Sequence, residues 1–187
     1  MKKVLLASTL ATSMLLPVGA MAADYKVDTS HAFVNFKVNH LGYSYIEGRF
    51  NQFDGQFSFD ENNVSDSKIT FNVDTTSLDS NHAERDKHLK GSKYINAGKY
   101  STAKFVSTKV TKKADGGLTV AGDMTFYGTT KPIVVDAKFI GGGQDPWGGT
   151  RAGFEGTTRL ELADFGMKVK GASTYADLYV VFEGIKQ

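Results

Sequence analysis

The sequence predicts an all-β fold, a barrel or sandwich of about eight antiparallel strands with one short helical insertion. Apolar and polar residues alternate with period two through most of the chain, which is typical of strands with one buried face. Turn-forming residues separate these runs at nearly even spacing, and helical patterns are confined to residues 82–90 and a short turn at residues 94–100. A closed barrel is favoured because several strands are about ten residues long and every neighbour in sequence can pair.

Residues 31–60 predict three consecutive strands that pair as a meander. A break at Leu41-Gly42 precedes a second, aromatic-rich strand that ends at Phe50. Asp54-Gly55 then predicts a hairpin turn into the third strand, because both residues tolerate positive φ. The face of the first strand that we expect to point inward comprises Ala32, Val34, Phe36 and Val38.

The rest of the chain continues the strand pattern after one interruption. Asn81 is the predicted N-cap of the short helix, and Gly91 is its predicted stop. Residues 141–153 are rich in glycine and predict a long loop around Trp147. The other predicted strands cover residues 69–73, 102–112, 118–126, 132–140, 154–162 and 176–185.

The first 22 residues have the pattern of a bacterial signal peptide. Two lysines precede an apolar run, and Ala20-Met21-Ala22 places small residues where a signal peptidase cuts. We therefore expect cleavage after Ala22, a periplasmic protein, and a single barrel domain over residues 23–187. Because the chain has no cysteine, the domain cannot use disulfides and no lipid can be attached through a thiol.

The charge balance argues against nucleic acid as a partner. The chain carries 22 Lys and Arg and 20 Asp and Glu. Because two of the lysines lie in the leader, the predicted mature domain is formally neutral. A neutral domain lacks the basic surface that proteins use to bind phosphate backbones.

No motif in the sequence predicts catalysis or a cofactor. There is no cysteine nucleophile and no Gly-x-Ser-x-Gly turn. His82, Glu84, Asp86 and His88 attract a metal interpretation, but a helix would place them on two nearly opposite faces. We expect no metal, no cofactor and no enzymatic activity.

The apolar residues on the strands outnumber what one open sheet can bury. Two interpretations remain open from the residues alone: a dry core between apolar faces, or a closed barrel that lines a cavity for an apolar guest. The candidates for such a lining come from three alternating runs. They are Val34, Phe36, Val38, Ile69, Phe71, Val73, Val120, Met124 and Phe126.

Several motifs, in order along the chain, resemble those of the YceI-like family. The resemblance spans residues 25–184, and one departure is Ser101, where many members have proline. It implies an extended, lipocalin-like, eight-stranded antiparallel barrel in the periplasm, without catalytic residues. The motifs are Asn39-His-Leu-Gly42, Phe53-Asp-Gly-x-Phe57, His82-Ala-Glu-Arg-Asp-Lys-His-Leu89, Gly128-Thr-Thr-Lys-Pro132 and Asp145-Pro-Trp-Gly-Gly149.

The resemblance also implies a function, namely a carrier that holds a polyisoprenoid, quinone or fatty-acyl amphiphile in its pore. The alternative is a structural or stress-response envelope protein with a dry core that acts through a protein partner. Transient membrane contact is compatible with both functions. The sequence leaves the oligomeric state open, and a dimer is one of the options. Residues expected at the pore mouth, near the headgroup of the guest, are His40, Arg85, Asp86, His88 and Trp147.

Overall fold

The computed structural model describes residues 22–168, 171 and 173–187. The predicted signal peptide therefore lies outside the described residues, except for Ala22. Within this part of the chain there are eleven strands and one α-helix, α1 (Ala83–Lys90). The strands are β1 (Ala23–Val27), β2 (Phe33–His40), β3 (Ser44–Phe50), β4 (Phe53–Phe59), β5 (Lys68–Asp74), β6 (Leu78–Asp79), β7 (Thr102–Lys112), β8 (Leu118–Phe126), β9 (Thr129–Gln144), β10 (Thr150–Glu161) and β11 (Tyr175–Lys186).

Eight of the strands form a closed antiparallel barrel, which confirms the predicted fold. Their order is β1-β4-β5-β7-β8-β9-β10-β11, and β1 closes the ring by pairing with β11. The closing register places Tyr25 opposite Lys186 and Val27 opposite Gly184. Closure leaves these strands no free edge along the paired stretches, so a protein without disulfides is held by burial and backbone pairing.

The remaining strands extend one end of the barrel. β11 is longer than β1, and its first half pairs with β2 instead, from Ala176 opposite Val38 to Val181 opposite Phe33. β3 pairs with β2 as a hairpin, and the two-residue strand β6 pairs with β3. The β2–β3 hairpin therefore projects from the barrel at the end where β11 begins.

The predicted meander is wrong, because β3 and β4 do not pair with each other. Asp54-Gly55 lies inside β4, and the chain bends at residues 51–52 instead. Gly55 pairs with Phe71 on β5, and a Cβ at this glycine would lie 2.8 Å from the Phe71 ring. The glycine is thus required for the close approach of an aromatic ring, and not for a turn.

The predicted long loop at residues 141–153 is also mostly strand. Gly141, Gly142 and Gly143 on β9 pair with Gly153, Ala152 and Arg151 on β10, so the loop contains only residues 145–149. The first of these pairings follows a β-bulge next to Phe154. Backbone hydrogen bonds across the hairpin override the low strand propensity of glycine here.

The helix begins one residue later than predicted. His82, and not Asn81, is the N-cap, and its Nδ1 accepts a hydrogen bond from the Arg85 N–H at 3.3 Å. Asn81 has φ of 62° and forms the turn that leads into the helix. No helix among the described residues has the length and apolar character that a membrane span requires.

Two apolar clusters occupy the barrel interior. The first, called the Phe154 cluster, lies at the β1 end, where the rings of Phe57 and Phe59 have their centroids 5.4 and 4.8 Å from that of Phe154. The second, called the Phe165 cluster, lies at the end from which the β2–β3 hairpin projects. It comprises Ala103, Met124, Phe126, Leu160, Leu162, Phe165, Met167 and Ala176.

Candidate functional site

A cavity of about 140 Å³ lies inside the barrel, and residues of both clusters line it. Its walls are almost entirely apolar. Ser67 belongs to the wall, but its Oγ is buried and has no hydrogen-bond partner among the described residues. A cavity with so few polar groups recognises a ligand through shape and apolar contact.

Six of the nine predicted lining residues surround this cavity. Phe36 instead packs against Phe50, with ring centroids 5.7 Å apart, and Val38 packs against the Phe165 cluster. Phe126 lies within that cluster, edge-on to Phe165. Val38 and Phe126 thus pack at the barrel end and Phe36 packs within the β2–β3 hairpin. The residues that the structure does bring together are Val34, Ile69, Phe71, Val73, Val120 and Met124.

Several lining residues on the later strands were not predicted from the sequence. β9 and β11 alternate as clearly as β2 does, so the same period-two pattern would have found them. Phe154 and Phe182 also line the cavity, and both lie in strands that were predicted, 154–162 and 176–185, for which no lining residues were named. The missed apolar residues include Val110, Leu118, Ile133, Val135, Ala137, Leu178 and Val180.

The predicted mouth residues are not brought together. Arg85 and Asp86 both bind Ser80: the Arg85 Nε donates to the Ser80 Oγ at 2.8 Å, and the Asp86 Oδ1 accepts from the Ser80 N–H at 2.7 Å. These two side chains therefore fasten α1 to the connection that precedes it. His88 is exposed on the helix.

The other two residues lie at opposite ends of the barrel. His40 ends β2 at the projecting hairpin, whereas Trp147 lies in the β9–β10 turn, next to the closing β1–β11 register. Trp147 is 81% exposed, and its ring faces the Arg151 guanidinium at 5.9 Å. The role of these residues in ligand binding stays a prediction, but they cannot serve one common mouth.

Arg151 holds the barrel seam at the Trp147 end. Its Nη1 donates to Asp28 at 2.7 Å and to Glu183 at 2.6 Å, and its Nε donates to Asp145 at 2.7 Å. The arginine thereby ties β10 to β11, to the β9–β10 turn and to the chain after β1. Asp28, Glu183 and His31 are close enough to hold a metal ion, but the guanidinium already occupies both carboxylates.

The hydrogen bonds of this cluster shift the pKa values of its members. The Ser30 hydroxyl and the Arg151 guanidinium both hold the pKa of Asp28 well below its usual range. Arg151 and the Gly149 N–H lower the pKa of Asp145. The hydrogen bonds that Arg151 donates to Asp28 and Asp145 in turn raise the pKa of Arg151, so these three groups are charged at neutral pH.

We expect stability to fall in acid because of these carboxyl groups. A carboxyl pKa that is lower in the folded protein contributes stability above the unfolded value, and this contribution is lost as pH falls through the folded value. Urea midpoints should therefore decrease below about pH 5. Asp28→Asn should lower the midpoint at neutral pH and flatten this acid dependence, whereas Asp164→Asn, at an exposed position of the short 3-10 helix after β10, should leave the midpoint at neutral pH unchanged. If the urea midpoints of the two variants depended on pH in the same way, Asp28 would not be a source of the acid sensitivity.

The fold and its interior define a class of protein, the closed antiparallel β-barrel with an apolar internal cavity. The chain belongs to the YceI-like family, whose domain model matches residues 25–183, and the resemblance noted in the sequence is thereby confirmed. Among curated relatives, UPF0312 proteins of Vibrio parahaemolyticus and Vibrio vulnificus are 61% and 59% identical, each aligned over the whole of both chains.

Solved structures share the fold at much lower identity. The BcnA protein of Burkholderia cenocepacia has a TM-score of 0.75 at 18% identity, over 84% of this chain and 98% of that one. A YceI protein of Campylobacter jejuni has a TM-score of 0.71 at 22% identity, over 97% and 99%. A polyisoprenoid-binding domain of Saccharophagus degradans, implicated in plant cell wall breakdown, has a TM-score of 0.63 at 14% identity, over 89% and 99%.

Proposed function

We propose that this protein is a periplasmic carrier that holds the apolar chain of an amphiphile inside its barrel without changing it chemically. A polyisoprenoid, a quinone tail or a fatty-acyl chain is the proposed class of guest. The single observation that carries the proposal is the apolar cavity at the centre of the barrel. The fold shared with a polyisoprenoid-binding domain supports the same class of guest.

Leaving the cavity unfilled would cost free energy that a guest would offset. A void of about 140 Å³ in a packed core costs roughly 3 kcal/mol relative to a filled one. The unpartnered Ser67 hydroxyl offers water one hydrogen bond, but a buried water needs two to four, and the rest of the wall is almost entirely apolar. An apolar group entering the cavity therefore gains contacts that water cannot make.

The cavity has room for only part of a long chain. A void near 150 Å³ accommodates a ligand of about the size of benzene. A longer guest must displace side chains of the wall, and Met124 is suited to this because methionine is flexible and polarisable. Since the alternative environment for such a chain is a bilayer, the barrel need only solvate it about as well as lipid does.

Two adjacent valines on β9 provide a matched test. Val135 lines the cavity, whereas Val134 points outward and is 58% exposed. We expect Val135→Phe to place a ring in the guest's space and to lower the guest content at least about tenfold. Val134→Phe should leave it unchanged. The measurement is mass spectrometry of an organic extract from protein purified from the periplasm.

The same experiment separates the proposal from its alternative. A saturable apolar guest in the wild-type protein and in Val134→Phe, but not in Val135→Phe, supports the carrier. A clean wild-type extract, together with one discrete cross-linked protein in cells, would instead favour a structural role with a dry core.

A further inference from the structure

The tip of the β2–β3 hairpin carries an apolar residue in an unfavourable conformation. The Tyr43 N–H donates to the His40 carbonyl at 3.0 Å and closes a turn whose central residues, Leu41 and Gly42, have φ of 57° and 81°. Asparagine and glycine are the usual residues where two consecutive positive φ values are needed. A leucine in the left-handed region is strained by the contact of its Cβ with the following carbonyl.

The same leucine is also exposed. Leu41 is 68% exposed and Tyr43 is 88% exposed, and Tyr45 on the following strand is exposed as well. The positive φ of Leu41 costs stability, and its exposed side chain returns little, because it buries little surface at the tip. Strain combined with exposed apolar surface indicates that the tip meets something outside the protein.

A segment with only positive charges lies at the same end of the barrel. Residues 87–113 contain lysines but no aspartate or glutamate. Lys87 on α1 and Lys93 and Lys99 on the following segment are all exposed. Five lysines fall between residues 87 and 104, namely Lys87, Lys90, Lys93, Lys99 and Lys104.

Packing places the hairpin and the lysine segment at this one end. Ile95 of the segment and Val38 of β2 both pack against the Phe165 cluster. The ring centroid of Tyr100 lies 4.6 Å from that of Tyr127, and Tyr127 belongs to the β8–β9 turn at that end. The other end of the barrel is different in charge, because three carboxylates surround Arg151 there.

We propose that the end formed by residues 40–45 and 87–99 docks on an anionic lipid bilayer. Leu41 and Tyr43 insert at the headgroup level, where leucine gains apolar burial and tyrosine keeps its hydroxyl in water. Lys87, Lys93 and Lys99 contact the lipid phosphates, and the end that holds the carboxylates around Arg151 points away. The inference deepens the proposed function, because a carrier must meet the membrane that supplies its guest, but docking itself requires no guest.

Cosedimentation with vesicles tests this surface. The wild-type protein should bind vesicles of phosphatidylcholine and phosphatidylglycerol in equal parts, and bind phosphatidylcholine alone much more weakly. Leu41→Asn should lower the vesicle partition coefficient at least about tenfold. It should also raise the urea midpoint, because asparagine is favoured at this φ. A variant that is more stable yet binds less cannot have lost binding through misfolding.

Further variants test the role of the lysines and which end of the barrel faces the membrane. Changing Lys87, Lys93 and Lys99 together to Gln should weaken binding to the anionic vesicles, whereas the same change at the exposed Lys26, Lys68 and Lys186 should not. The inference is overturned if the wild-type protein fails to bind anionic vesicles or if Leu41→Asn binds them as well as the wild type. It is also overturned if Trp147→Asn abolishes binding, because docking would then use the opposite end.

The guest content of the same samples keeps the two proposals apart. Leu41→Asn should retain its guest when extracted, since the tip lies outside the cavity. Vesicle binding without any extractable guest would support docking and refute the carrier function. An extractable guest without vesicle binding would support the carrier function and refute docking.

Discussion

Val34→Lys is expected to destabilise the protein by roughly 3–5 kcal/mol. Val34 is buried in the Phe154 cluster and also lines the cavity. A lysine ammonium at this position would enter an interior that offers neither a carboxylate partner nor room for a full hydration shell. The urea midpoint and the extractable guest should both fall, because the charge lies in the space that the guest is proposed to use.

Asn35→Lys is the matched control on the opposite face of the same strand. Asn35 is opposite Tyr179 on β11 and opposite Arg49 on β3. The only expected penalty is repulsion between the new lysine and Arg49, which costs less than about 1 kcal/mol. If Asn35→Lys proved the more damaging change, the assignment of faces would be inverted. If both were harmless, water would have to reach the interior at Val34.

Phe154→Ala is expected to lower the free energy of unfolding by about 3–5 kcal/mol. The Phe154 ring contacts four other rings, those of Phe57, Phe59, Phe139 and Phe182. Removing it leaves a void that joins the existing cavity, since the side chain is part of the cavity wall. Chemical denaturation measures the loss, and an enlarged cavity should still take up an apolar guest.

Phe33→Ala is the corresponding control. Phe33 is 48% exposed on the outward face of β2, so its truncation should cost no more than about 1 kcal/mol. Equal losses for the two phenylalanines would mean that the Phe154 cluster does not hold the barrel together. A complete loss of guest from stable Phe154→Ala protein would contradict the proposal that the cavity wall binds by apolar contact.

The alternation of apolar and polar residues was sufficient to predict the strand class and the inward faces. Ala32, Val34 and Phe36 are buried as the period-two pattern predicts, and β8 follows the same pattern, whereas on β5 only Phe71 is buried. This information is local, because successive side chains of a strand point to opposite faces regardless of the partner strand. The family was predictable for a related reason, since its motifs are continuous in sequence.

Strand pairing and the meaning of the glycines were not predictable in this way. Asp54-Gly55 and Gly141–Gly143 have the composition of turns, yet both stretches lie inside paired strands. Gly55 makes room for Phe71, 16 positions later in the chain, and no local pattern records such a contact. Turn propensity is therefore overridden where a distant side chain or strand needs the space.

The sequence by itself determined that the protein is built from strands with one apolar face, and it determined the family. Only the tertiary structure decided how the barrel closes, where it is hollow, and which residues share an end. Closure depends on the pairing of β11 with β1, and the extension depends on its pairing with β2; both strands are more than 130 residues away in sequence. The grouping of His40 with Trp147 failed for the same physical reason: periodicity states which face a side chain occupies, whereas its height in the barrel depends on the register between distant strands.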